Sequence, residues 1–120
     1  MDITTDGTTL VLSGAFDVRS TGEVRAAIYD VLESVDARGE DVDVVVDLSG
    51  VEAVDHTALR VLAYATRRAG RSGRHLRLRG ARPAVRRMLH LTHLRRAVEM
   101  APGPDDRVSP ITQPRVVTTG

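Results

Sequence analysis

Three consecutive polar residues, Asp55-His56-Thr57, follow a valine-rich run and precede an apolar stripe with helical spacing. This pattern predicts that they begin a helix, whose first backbone N–H groups lack internal partners and carry a partial positive charge. Asp55 is suited to cap such a helix, because its carboxylate can accept a hydrogen bond from an amide two or three residues further on.

The elements around this cluster are predicted from hydrophobic periodicity. Two opening strands span residues 1–5 and 8–16, with Gly14 allowing a bend. A helix begins at Ser20, which with Glu23 fits a capping box, and it ends at Gly39. Residues 42–48 form a valine-rich strand that we expect to be central and buried on both faces, followed by a tight loop.

The second half of the chain alternates in the same way. The predicted elements are a helix over 57–69, a half-exposed strand over 75–79, a helix beginning near Pro83 and a short strand over 97–100. The order β-β-α-β-α-β-α-β predicts an α/β fold with a mixed, mostly parallel sheet of about five strands, packed with three or more helices. Residues 1–100 are the predicted domain. The proline-punctuated residues 101–120 are a predicted disordered C-terminal tail.

Composition excludes several classes of function. The chain has 120 residues and no cysteine, which rules out disulfides and thiolate metal sites. It has no apolar run long enough for a membrane span and no recognisable signal peptide, so we expect a cytoplasmic protein without membrane insertion. No nucleophile–base spacing or phosphate-binding glycine loop is present, which predicts a protein that is not an enzyme and needs no cofactor. His90 and His93 share a spacing that could bind a metal, but no ligand completes a site, so we predict none.

Charge is distributed unevenly along the chain. Residues 1–55 hold 13 acidic residues and 3 arginines, whereas residues 56–120 hold 14 arginines and 3 acidic residues. The two halves could neutralise each other in the fold, or the arginines could bind an acidic protein or a nucleic acid. Nucleic acid is the less favoured partner, because stacking aromatic residues and a recognised reading helix are both missing.

The segments Asp47-Leu48-Ser49-Gly50-Val51 and Val54-Asp55-His56-Thr57-Ala58-Leu59 resemble the switch region of the STAS domain (sulphate transporter and anti-sigma factor antagonist). The break at Gly70–Gly73 and the segment Arg82–Leu94 are similar to later parts of that family, so the resemblance covers roughly residues 1–100. In the family, the helix entry carries a phosphorylatable serine. Here His56 occupies that place and Thr57 the second hydroxyl position, Ala58 replaces a glycine, and His93 stands where a glycine is common.

The resemblance implies three possible states of the switch. In the first state the switch is lost, which leaves a constitutive or differently controlled binder. Thr57 could have taken over as acceptor, although its hydroxyl could equally satisfy a backbone amide. His56 could itself act as a pH-sensitive contact or a phosphohistidine.

The histidine at position 93 could simply hold a left-handed turn.

What the resemblance implies is an anti-sigma factor antagonist-like protein that binds an anti-sigma factor or a GHKL-type Ser/Thr kinase. Binding would free a sigma factor and so influence transcription. Asp55, His56 and Thr57 are the predicted centre of the contact, with Asp17 and Ser20 on a neighbouring loop as weaker candidates. Two alternatives remain: an accessory STAS subunit of an ABC-type lipid-transport complex, and an arginine-mediated nucleic-acid-binding module. Nothing in the sequence fixes the oligomeric state.

Overall fold

Five strands alternate with three α-helices in the computed structural model, which describes residues 1–100. The elements are β1 (Asp2–Asp6), β2 (Thr9–Phe16), α1 (Thr21–Arg38), β3 (Val44–Val54), α2 (His56–Arg71), β4 (Leu76–Arg79), α3 (Pro83–Leu91), a short 3-10 helix (Arg95–Ala97) and β5 (Glu99–Met100). The strands lie in sequence order in one sheet, where β1 is antiparallel to β2 and all other neighbours are parallel. The predicted fold class is confirmed. The predicted tail, residues 101–120, lies outside the described residues.

Only one face of the sheet belongs to the core. In β3, Val44, Val46 and Leu48 are buried, whereas the intervening Val45 and Asp47 are only half-buried. Strand β4 repeats this alternation with Leu76 and Leu78. The prediction that the valine-rich strand is buried on both faces is therefore wrong. Its run of apolar residues includes Val45, which contributes to the other, more open face.

The two long helices pack on each other and on the sheet. The stripe predicted for α1 is buried, and so are all the positions of α2 predicted to face inward. These are Val24, Ile28, Val31, Leu32 and Val35 of α1 and Leu59, Leu62, Ala65, Thr66 and Ala69 of α2. Helix α1 ends as predicted at Gly39, whose φ of 64° is left-handed. Helix α3 has its proline in the first turn, also as predicted.

Strand β3 is longer than the sequence indicates. The predicted tight loop after Leu48 is instead a continuation of the strand to Val54, paired with β2 through two register shifts. Gly50 makes this pairing possible, because its Cα approaches β2 so closely that an added Cβ would lie 3.1 Å from the carbonyl oxygen of Leu12. The strand therefore carries the chain directly to the start of α2.

The predicted capping box at the start of α1 is also wrong. Ser20 is the N-cap residue, but its hydroxyl makes no capping hydrogen bond. The Ser20 Oγ instead accepts from the backbone N–H of Asp17 at 3.2 Å and lies 3.3 Å from the carbonyl oxygen of Ala15. These backbone partners lie at the end of β2 and in the β2–α1 loop, so the Ser20 hydroxyl stabilises the loop rather than the first turn of α1.

Some arginines of the second half pair with carboxylates of the first half. Arg79 contacts Asp47 at 2.9 Å and Arg77 contacts Asp43 at 3.0 Å, both across the open face between β3 and β4. Burial raises the pKa of Asp47, but hydrogen bonds from Ser49 and the charge of Arg79 outweigh it and leave that pKa below its ordinary value. Mutual neutralisation thus accounts for part of the charge asymmetry.

Candidate functional site

The start of α2 is capped as predicted. Asp55 has extended backbone angles, and its Oδ1 accepts a hydrogen bond from the Ala58 N–H at 2.8 Å. Its own N–H donates to the carbonyl oxygen of Phe16 at 3.3 Å, which joins the end of β3 to the end of β2. The cap and the strand pairing together hold this helix start at the sheet edge, beside the β2–α1 loop.

The second carboxylate oxygen of Asp55 reaches that neighbouring loop. Its Oδ2 accepts a hydrogen bond from the backbone N–H of Val18 at 3.0 Å. Asp55 therefore ties two segments that are far apart in sequence, and both oxygens of its carboxylate are used inside the domain. Val18 itself is 64% exposed, an uncommon degree for a valine, and it lies next to the helix start.

His56 and Thr57 are the exposed residues of this site. Within residues 1–100, neither side chain makes a hydrogen bond or an ion pair. The Thr57 hydroxyl therefore does not form the hydrogen bond with a backbone amide that was the alternative to its being a phosphate acceptor. Both side chains are available to a partner or to a modifying enzyme.

Asp17 and Ser20 occupy the adjoining loop but differ in exposure. Asp17 is half-buried and forms an ion pair with Arg19 at 2.8 Å. The hydrogen bonds from the Arg19 side chain and then from its backbone N–H hold the pKa of Asp17 below its ordinary value, so this carboxylate stays charged. Ser20 is only 5% exposed, so it can shape the loop but offers almost no surface to a partner.

A groove of about 680 Å³ runs between α1 and α2 and has Thr57 among its lining residues. Its lining is strongly basic, with five arginines and two tyrosines: Arg25, Arg60, Arg67, Arg68, Arg71, Tyr29 and Tyr64. Among the described residues that line it, none is acidic. The arginines of the second half were singled out from the sequence, but their association with the tyrosines was not predicted. Their i, i+4 and i, i+3 spacing to Tyr64 and Tyr29 along predicted helices was the available signal.

The two remaining candidates, His90 and His93, are not among the residues that line this groove. His93 adopts a φ of 61°, which confirms the predicted left-handed turn after α3. In residues 1–100 there is no cluster of three or more histidine, aspartate or glutamate residues that could hold a metal ion. Over the same residues, none of the helices is both long enough and apolar enough to cross a membrane.

Comparison with known proteins identifies the family. Residues 1–101 match the family model described as "Mlab, STAS domain", and the chain therefore belongs to the STAS family. No curated protein matches the sequence.

Solved structures with the same fold include anti-sigma factor antagonists. One from Mycobacterium paratuberculosis is 26% identical, with a TM-score of 0.66 over 89% of this chain and 88% of that one. The Thermotoga maritima protein tm1081 is 19% identical, with a TM-score of 0.67 over 89% and 90% of the two chains. The anti-sigma factor antagonist SpoIIAA of Bacillus, in its unphosphorylated form, is 15% identical, with a TM-score of 0.62 over 89% and 91%. The last two similarities concern the fold alone.

Proposed function

We propose that this protein is an anti-sigma factor antagonist-like regulator that docks on an anti-sigma factor through the start of α2. The observation that carries the proposal is the exposed pair His56 and Thr57, presented on a helix start that Asp55 fixes rigidly. The braced backbone loses little conformational freedom when a partner binds, and the two side chains can contact that partner without first breaking a bond inside the domain. Binding would release a sigma factor in the cytoplasm and so influence transcription. The 26% identity to the Mycobacterium paratuberculosis antagonist supports the same assignment.

The partner we propose is an anti-sigma factor of the GHKL-type Ser/Thr kinase class, and the ordinary phosphorylation switch is lost. His56 stands where the family carries its acceptor serine, and an imidazole does not fit a kinase site built for a hydroxyl nucleophile. Thr57 has a free hydroxyl, but it lies one residue further along the helix. One residue turns a side chain by about 100° around a helix of 3.6 residues per turn, so Thr57 presents its hydroxyl in a different direction.

The proposal is tested by identifying what the intact protein binds. The full chain, immobilised through a C-terminal tag, is used to recover partners from the source cells, and these are identified by mass spectrometry. An Asp55→Asn, Thr57→Glu double variant with the same tag is the control. We expect an anti-sigma factor that is recovered by the wild type and reduced in the control. Recovery of only an ABC ATPase, or only nucleic acid, would replace this function with the corresponding alternative.

A second candidate is an accessory STAS subunit of an ABC-type lipid-transport complex. The exposed imidazole at position 56 favours it, because a permanent subunit contact at the start of α2 requires no phosphorylatable hydroxyl. The two candidates use the same helix face, so substitutions there would weaken either contact. The identity of the recovered ATPase or kinase distinguishes them.

A further inference from the structure

The basic groove between α1 and α2 carries more positive charge than the described residues neutralise. Among the arginines of the groove, Arg68 forms an ion pair with Asp36 at a distance of 3.5 Å. Arg25, Arg60, Arg67 and Arg71 are exposed and form no ion pair with any residue in the described range. Four like charges on one groove repel each other, which a bound anionic group would relieve.

The two tyrosines contact three of these four arginines. The guanidinium carbon of Arg25 lies 5.7 Å from the centre of the Tyr29 ring, and those of Arg60 and Arg67 lie 5.7 and 5.8 Å from the centre of the Tyr64 ring. Arg60 also donates a hydrogen bond to the Tyr64 hydroxyl at 2.8 Å. Stacking fixes the plane of a guanidinium group but leaves N–H groups free at its edge, in the fork that matches a carboxylate.

We propose that this groove binds an acidic segment of a partner protein, in which carboxylates alternate with aliphatic side chains. The arginines would receive the carboxylates, while Val61 and the stems and rings of the lining residues would receive the aliphatic groups. The groove includes Thr57, so this surface continues the docking site at the start of α2, and the proposal rests on that function. It adds the chemical class of the partner segment and a second anchoring region along α2.

An acidic peptide fits the groove better than a nucleic acid does. Bases bind single-strand sites by stacking on open aromatic faces. Here both rings already have guanidinium groups over them, and a base would have to displace these. The lining of α2 from Thr57 to Arg71 spans about 21 Å at a rise of 1.5 Å per residue, which about six residues of extended chain would cover.

A synthetic peptide of Glu-Glu-Leu repeats, long enough to cover the groove, tests the proposal. Fluorescence anisotropy of the labelled peptide is measured with the full-length wild type and with an Arg60→Glu, Arg67→Glu variant. An Arg87→Glu, Arg96→Glu variant makes the same charge change at exposed positions of α3 and the 3-10 helix. We expect the groove variant to bind on the order of tenfold more weakly or worse, while the control stays within about threefold of the wild type.

The intrinsic fluorescence of the protein provides an independent measure of peptide binding in the groove. The chain has two tyrosines and no tryptophan, and both tyrosines line the groove. The unlabelled peptide contains no aromatic residue, so its binding should change the tyrosine emission with the same midpoint as the anisotropy curve. An Arg60→Gln, Arg67→Gln variant, which removes charge without reversing it, should lose this response while keeping the wild-type circular dichroism spectrum.

Three results would overturn the proposal. The first is that the peptide does not bind to the wild type. The second is that the α3 control loses as much affinity for the peptide as the groove variant does. The third is that a labelled oligothymidine binds more tightly than the peptide. The last would identify the groove as a nucleic-acid site. Each of these can occur while Thr57→Glu still weakens binding of the anti-sigma factor, in which case the proposed function stands and only the groove assignment falls.

Discussion

The carboxylate of Asp55 joins the start of α2 to the β2–α1 loop, because its Oδ2 accepts a hydrogen bond from the Val18 N–H at 3.0 Å. Its other oxygen caps the helix at Ala58. One side chain therefore sets the relative position of two segments that would both face a partner. Its two bonds can be separated experimentally.

Asp55→Ala removes both bonds, whereas Asp55→Asn keeps one oxygen for the Ala58 N–H. Loss of a helix cap costs about 1 kcal/mol, within a range of about 0.5–2. We expect the alanine variant to lose about this free energy of unfolding, and the asparagine variant to lose less while its β2–α1 loop loosens. Urea denaturation measures the stabilities, and amide hydrogen exchange at Val18 measures the loop. Wild-type exchange at Val18 in both variants would show that Asp55 does not brace the loop.

The proposed loss of the switch predicts the outcome of incubation with a kinase. After exposure to ATP and the cognate anti-sigma factor kinase, intact-mass spectrometry should find no stoichiometric phosphate on the wild type. His56→Ser restores a hydroxyl at the family's acceptor position and should gain phosphate. Stoichiometric phosphate on wild-type Thr57 would contradict the lost switch and indicate one moved by a residue. A lack of phosphate on both proteins would indicate a partner that is not a kinase of this class.

The pairing of Arg60 with Tyr64 predicts a shifted titration. The hydrogen bond from Arg60 and then its charge lower the pKa of the Tyr64 phenol, and Arg67 adds to the effect. Arg60→Gln should therefore move ionisation to higher pH, toward the ordinary value of about 10. The ultraviolet absorbance of tyrosinate is measured in a Tyr29→Phe background, which leaves Tyr64 as the single tyrosine of the chain. An unchanged titration curve would mean that Arg60 does not hold the phenol in solution.

Two glycines provide a matched test of the β2–β3 pairing. A Cβ at position 50 would lie 2.9 Å from the Ser13 hydroxyl and 3.1 Å from the Leu12 carbonyl oxygen, whereas one at position 70 would meet nothing within 4 Å. We expect Gly50→Ala to destabilise the domain by about 1–3 kcal/mol through overpacking. Gly70→Ala, near the end of α2, should stabilise it by about 0.5–1 kcal/mol through helix propensity. Urea denaturation of both variants measures the difference, and equal stabilities would contradict the close strand approach.

The sequence predicts those features that local periodicity encodes. The inward stripes of α1 and α2 and the Asp55 cap each depend on spacings within one helix, and all were predicted correctly. The left-handed His93 followed from the family's glycine at that place. These features need no knowledge of what lies across the fold.

Two of the features that were not predicted from the sequence, the strand at Ser49-Gly50 and the basic groove, depend on contacts between distant segments. The third, the hydroxyl of Ser20, depends on the local shape of the chain before α1. Ser49-Gly50 has the composition of a turn, but pairing with β2 holds it in a strand. Ser20 has the spacing of a capping box, but backbone groups of its own loop compete for its hydroxyl. The groove forms only when α1 packs beside α2. The spacing within each helix could group its arginines with its tyrosine, but it could not place the two groups side by side.

The most direct test of the proposed docking surface is the affinity of the cognate anti-sigma factor for Thr57→Glu. The substitution places a negative charge at the helix start, beside the basic groove, without disturbing any hydrogen bond of the Thr57 side chain. Thr57→Gln is the control of nearly equal size, because it lacks only the charge. Isothermal titration calorimetry should show Thr57→Glu binding on the order of tenfold more weakly than the wild type, and Thr57→Gln within about threefold. Wild-type affinity of the glutamate variant, with its fold intact by circular dichroism, would contradict docking through the start of α2.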